Sequence, residues 1–132
     1  MEIDMDVKSA RSFEAGNKLV ANKLYTTSIH CFYYSVLQMM MFKLTKCKDN
    51  AMTYEEQKEK IRLFNSSTHD WLFSEIRNKL KKKSRVVFIE DFKDLRNDRV
   101  GADYNLRAFS MIESVGCRQK AENLLAKLRE IN

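Results

Sequence analysis

Proline is absent from this chain, and glycine occurs only three times in 132 residues, at positions 16, 101 and 116. Sheets joined by tight turns draw on both residues, whereas long helices need neither. Their scarcity points to an all-helical fold. Cysteine is also sparse: Cys31, Cys47 and Cys117 fit no metal-binding spacing, and an odd number cannot all pair. With two histidines in the chain, a zinc site is hard to assemble, so no metal and no cofactor are expected. Cys31 lies in an apolar run and reads as a small core residue. Free thiols of this kind suit a reducing cytoplasm. A membrane-length apolar segment is missing too. The longest candidate, Ile29 to Phe42, is interrupted by His30, Ser35 and Gln38 and is too short to span a bilayer. The opening MEIDMDVKSARSFEAG is acidic and polar, unlike a secretory signal.

A chain of this length forms one domain, 1–132, and buries roughly two-thirds of its unfolded surface. It needs no disulfide or metal for that. Its 44% hydrophobic and 32% charged residues are a globular balance. The net charge of +6 is concentrated in one place. Residues 77–85, RNKLKKKSR, hold six basic groups and no acid; elsewhere 18 basic residues meet 18 acidic ones. Such a strip can meet phosphates. It also reads as a solvated helix end whose lysines complement the C-terminal dipole.

Hydrophobic spacing places a first helix at about 4–22, with Val7, Ala10, Phe13, Ala21 and Leu24 near one face. The second, at about 25–46, is apolar almost all round, which marks a central, buried helix. Thr53 with Glu56 forms a capping box for a short helix or turn near 54–64. The hydroxyls of Asn65-Ser66-Ser67-Thr68 can cap a third long helix at about 69–82, with Leu72, Phe73, Ile76 and Leu80 inward. Val86 to Ile89 could stand alone as a strand. Val86, Ile89, Phe92 and Leu95 nevertheless recur at helical spacing, so 85–99 is read as a helix. A break is expected at Val100-Gly101. Asp103 or Asn105 then caps a last helix to about 131, facing inward through Phe109, Ile112, Ala121, Leu124, Leu128 and Ile131. The expected architecture is an up-and-down bundle of four to five helices with at least 65% helix and no sheet.

Three segments in order carry a family resemblance. Phe32-Tyr33-Tyr34-Ser35 on the second helix resembles the small-aromatic signature of HEPN domains. Thr68-His69-Asp70 followed by Trp71-Leu72-Phe73 resembles the histidine-led third helix of one prokaryotic branch of that family. Leu95-Arg96-Asn97-Asp98-Arg99-Val100-Gly101-Ala102-Asp103-Tyr104 is similar to that branch's ending, in which an arginine precedes Ala-Asp-Tyr. The resemblance spans roughly residues 10–130. It implies a helical bundle that dimerises, as in toxin–antitoxin, abortive-infection and CRISPR-linked systems, with a nucleotidyltransferase-like protein as a possible partner. Active members are metal-independent ribonucleases that use an arginine followed shortly by a histidine. Here no histidine follows Arg96 or Arg99, and Asp103 stands about where one is expected.

That departure bears on chemistry. Metal-free RNA cleavage needs one group to take the 2′-hydroxyl proton and another to protonate the leaving oxygen, and imidazole suits both. A solvated aspartate, ionised at neutral pH, is a poor acid there. The first reading is therefore a module that binds RNA, a nucleotide or a partner protein without efficient catalysis. Arg96, Asn97 and Arg99, with Lys81, Lys82 and Lys83, form its anion-binding surface. The alternative is a ribonuclease toxin built from Arg99, Asp103, Tyr104 and His69. A third reading is a purely structural dimeric adaptor. Against all of these stand structural roles: Arg99 and Asp103 pairing across one helical turn, Asp103 as an N-cap, Tyr33 and Tyr34 as core aromatics, His69 as a first-turn residue beside a cap, and Trp71 as core or as an interface anchor.

Overall fold

The computed structural model describes all 132 residues and contains six α-helices and no strand, with 77% of the chain helical. They are α1 (Met5–Ala21), α2 (Tyr25–Lys46), α3 (Tyr54–Leu63), α4 (Thr68–Arg77), α5 (Lys82–Tyr104) and α6 (Met111–Arg129). The segment around 54–64 is thus a helix in its own right, which takes the total above the four to five expected. Helix α2 is central as expected: α1, α4, α5 and α6 all pack on it. Its Ile29, Phe32, Tyr33, Val36 and Met40 are fully enclosed, and they anchor a single cluster of 22 buried apolar residues. No helix is long and apolar enough to cross a membrane.

Local chemistry explains most of the boundaries. Asp4 accepts from the Met5 amide and starts α1. That helix closes in a Schellman turn: Lys23 takes a φ of 63°, its amide bonds to Val20, and the Leu24 amide bonds to Leu19. The Thr53–Glu56 capping box forms and opens α3. In the following turn Asn65 takes the left-handed conformation and closes α3, while Ser67 accepts from the Asp70 amide and opens α4.

Several inward faces differ from those expected. In α1 the buried stripe is Ser9 and Gly16, with Phe13 and Val20 against the core; Val7, Ala10, Ala21 and Leu24 face outward. Ser9 is buried because its hydroxyl donates to the Ser35 carbonyl at 2.6 Å. At Gly16 a Cβ would lie 2.6 Å from the Phe32 ring, so only glycine allows α1 this close to α2. In α5 the stripe is Phe88, Phe92, Leu95 and Arg99, and Val86 is on the outside. Cys31 is only half-buried; Cys47 and Cys117 are the enclosed thiols. Trp71 is core.

The largest departure lies at the end of α5. The helix does not break at Val100-Gly101 but continues through Tyr104, and α6 begins only at Met111. Gly101 is buried against Phe109, whose ring lies 3.6 Å from where its Cβ would stand. Neither Asp103 nor Asn105 caps α6. Ser110 does, in a capping box with Glu113, and Ile112 of the expected inner face is 80% exposed.

The lysine strip is placed differently as well. Arg77 ends α4, but Lys81 is the N-cap residue of α5 and Lys82 and Lys83 form its first turn. Cations there oppose the helix dipole rather than complement it. The other end carries no base in its last turn. Helix α6, with Glu113 first and Lys127 and Arg129 last, has the favourable polarity. Lys82→Glu with Lys83→Glu is therefore expected to raise the melting temperature slightly at low salt, with the gain fading at high salt. Thermal scans across ionic strength check this.

Candidate functional site

Helices α2, α4 and α5 bring polar groups together around Arg99. This arginine lies on the inner face of α5, one turn beyond Leu95, and its side chain is only 7% exposed. Its guanidinium carbon sits 5.0 Å from the Tyr33 ring centre, 5.9 Å from that of Tyr34 and 5.7 Å from that of Tyr104. Aromatic faces attract a cation, but they supply no hydrogen-bond acceptor to match five donors. The Arg99 Nε is buried without a partner. Its carboxylate neighbour is Asp103, one turn later, at 3.8 Å. That distance is too long for a hydrogen bond.

Asp103 is held more closely by another residue. Its Oδ2 lies 2.7 Å from the Nδ1 of His30 on α2. A carboxylate can only accept, so His30 carries its Nδ1 proton toward Asp103 and turns Nε2 away. His30 also lies against the Tyr34 ring, with centres 4.5 Å apart. Its side chain is 49% exposed, whereas that of Asp103 is 20% exposed.

The second histidine also lies against Tyr34. His69, in the first turn of α4, makes a 2.7 Å bond through Nδ1 to the Tyr33 hydroxyl and stacks on that ring. Its ring lies edge-on to Tyr34, with centres 6.1 Å apart. Burial and the charges of Arg99 and Arg96 hold its pKa below the usual imidazole value. Burial likewise pushes the Tyr33 hydroxyl up to about 12, so it keeps its proton. Arg96 donates to Asp70 at 2.6 Å, which ties α5 to the start of α4 and fixes the position of His69.

The lowered His69 pKa has a consequence for stability. Above about pH 6.5, the usual imidazole value, His69 is neutral in both folded and unfolded chains and costs nothing. Below it the unfolded chain takes up a proton that the folded one resists, so stability falls as pH drops toward the folded value. His69→Gln is expected to remove part of the loss between pH 7.5 and 5.5, measured by chemical denaturation at both pH values.

Arg99, Asp103, Tyr104 and His69 thus converge, and Arg96 borders them. Asn97 does not join them. Two residues before Arg99, it projects from almost the opposite side of α5 and is exposed. Lys81, Lys82 and Lys83 are also separate: Lys82 and Arg99 lie about 25 Å apart along the helix axis. The single anion surface expected from the sequence is therefore two surfaces. Asp103 is not a cap; its pairing with Arg99 across one turn is present but secondary to His30. Tyr33 is core, yet its hydroxyl serves the cluster. The residue missed altogether is His30. Its signal was a histidine on a dense apolar helix, three and four residues before the two tyrosines and hence on their face.

Chemically the cluster offers two imidazoles that both lie against Tyr34, each anchored through Nδ1, beside a buried guanidinium with an unused donor. No group of three or more His, Cys, Asp or Glu side chains is arranged to hold a metal ion. No protein-family model matches the chain, and neither a curated protein nor a solved structure matches it significantly.

Proposed function

We propose that this protein binds RNA through its phosphodiester backbone at Arg99 and cleaves it, with His30 and His69 supplying the proton transfers and no metal taking part. The observation that carries the reading is the convergence of both histidines of the chain on one buried arginine. Sequence order argued against cleavage because no histidine follows Arg96 or Arg99. The fold supplies imidazoles from α2 and α4 instead, so that objection loses its ground. A guanidinium meets two phosphate oxygens at once and stays charged at every relevant pH. Tyr104, 75% exposed and lying against Arg99, offers a face on which a base can stack. The bundle and the order of its motifs fit an HEPN-like ribonuclease of a toxin–antitoxin or defence system.

Total RNA incubated with the purified protein in EDTA tests this. Discrete cleavage that is absent in Arg99→Lys is the expected result. An intact RNA pool at all protein concentrations rejects it.

Binding without cleavage is the second reading. The observation favouring it is the burial of Arg99 behind Tyr104 and beside Asp103, where a phosphate must displace side chains to reach it.

We also propose a homodimer formed at the end of the bundle that carries the site. Val100, Leu106, Met111, Ile112 and Val115 are all exposed there, along the α5–α6 connection and its flanking turns. Exposed apolar side chains gathered in one segment of the chain mark a surface for a partner to cover. Light scattering should give twice the 15.6 kDa of one chain, and Leu106→Glu with Ile112→Glu should return it to one. A wild-type mass of one chain across micromolar concentrations contradicts the dimer.

A further inference from the structure

We propose that the site takes up its anionic ligand together with one proton, and that His30, positioned by Asp103, is the residue that carries it. The charges of the cluster lead there. Arg96 and Arg99 supply two positive charges; Asp70 and Asp103 supply two negative ones. With both imidazoles neutral the cluster has no net charge, and an anion gains little from entering. The imbalance must come from a histidine.

The two histidines face different neighbours. His69 meets Arg96 and Arg99 from α5 and the Tyr33 hydroxyl from α2, with Asp70 beside it on α4. Two cations oppose a third charge there. His30 meets Tyr34 on its own helix and the Asp103 carboxylate from α5; Arg99 reaches it only through that shared carboxylate. A proton on His30 turns a neutral hydrogen bond at 2.7 Å into an ion pair. Asp103 is then fully matched by His30, and the charge of Arg99, with its unpartnered Nε, is left for the ligand. Proton and anion therefore favour each other's binding, and the coupling is reciprocal.

The use made of this proton rests on the ribonuclease reading above. In cleavage, Nε2 of His69, in the tautomer whose Nδ1–H donates to the Tyr33 oxygen, takes the proton of the 2′-hydroxyl as that oxygen bonds to phosphorus. The bond from phosphorus to the 5′-oxygen breaks, and the 5′-oxygen receives the proton from Nε2 of His30. His30 is left neutral and His69 protonated, so atoms and charge balance, and exchange with water resets both.

The coupling is measured without cleavage. A short oligodeoxythymidylate lacks the 2′-hydroxyl, and its phosphodiesters do not titrate near neutrality, so any linked proton belongs to the protein. Calorimetric titration in two buffers of different ionisation heat, from pH 6.5 to 8.5, should show uptake approaching one proton and affinity falling about tenfold per pH unit at the alkaline end. His30→Gln should abolish the uptake, and His69→Gln should keep it. Asp103→Asn removes the opposing carboxylate, so binding should lose its pH dependence and be tighter than wild type at pH 8.5. Affinity flat with pH in the wild type, uptake surviving in His30→Gln, or no binding of the oligonucleotide would each overturn the proposal. Linked uptake in a protein that leaves RNA uncut would confirm the coupling while removing the ribonuclease reading.

Discussion

His30→Ala and His69→Ala are each expected to slow RNA cleavage by about 10²–10⁴-fold, the usual contribution of a positioned acid or base. The double variant should be little slower than the worse single one, because groups that act as a unit do not add. Neither change should unfold the bundle. His30 is half exposed, and its partner Asp103 keeps Arg99 as a neighbour. His69→Ala removes the hydrogen-bond partner of the buried Tyr33 hydroxyl, which lowers stability modestly, so it is best compared with His69→Gln. Rates measured on the same RNA, with circular dichroism as a control for fold, check this. Wild-type rates in either single variant contradict the roles assigned.

Phe92→Ala should have the largest effect on stability. The ring is 1% exposed and stacks on Phe73, with centres 4.9 Å apart, and on Phe88 at 6.2 Å. It also lies 5.8 Å from Tyr33, the residue that holds His69. Truncation leaves a cavity where α2, α4 and α5 meet. The expected cost is about 3–5 kcal/mol, the range for buried phenylalanines. A small all-helical domain has about 5–15 kcal/mol in total. The variant should therefore unfold at markedly lower denaturant and lose the site with it. A loss below about 1 kcal/mol would mean that the core at this point is not packed as described.

The fold was legible wherever the local signal was strong. The scarcity of glycine and proline gave the all-helical class, and the density of apolar residues on α2 gave its central place. The Thr53–Glu56 box and the 65–68 turn gave both ends of the α3–α4 connection. Faces were read less well, because side chains satisfied by long-range partners break the apolar pattern. Ser9 is buried through the Ser35 carbonyl, and Arg99 through three tyrosine rings. In sequence Gly101 reads as a stop because glycine usually ends helices; its actual role, contact with Phe109, has no local signature. Ser110-Met111-Ile112-Glu113, by contrast, is a capping-box pattern present in the sequence, and it marks the true start of α6.

The site divided in the same way. Arg99, Asp103, Tyr104 and His69 stand in segments whose order drew attention. His30 is 73 residues from Asp103, and nothing along the chain joins them. Only packing the start of α2 against the end of α5 places a histidine beside the aspartate that occupies the expected histidine position. Asn97 shows the converse error: adjacency to Arg96 in sequence put it in a site that lies almost on the other side of the helix.

In the proposed reaction two imidazoles and a buried guanidinium act on a ribose 2′-hydroxyl and its phosphate. The most direct test compares an RNA oligonucleotide cleaved by the protein with the same oligonucleotide carrying a single 2′-deoxy sugar at the scissile position, both in EDTA. The expected result is that both bind with similar affinity, that the all-ribose strand is cut, and that the substituted strand stays intact at that position. Cleavage of both strands at the same bond would contradict it.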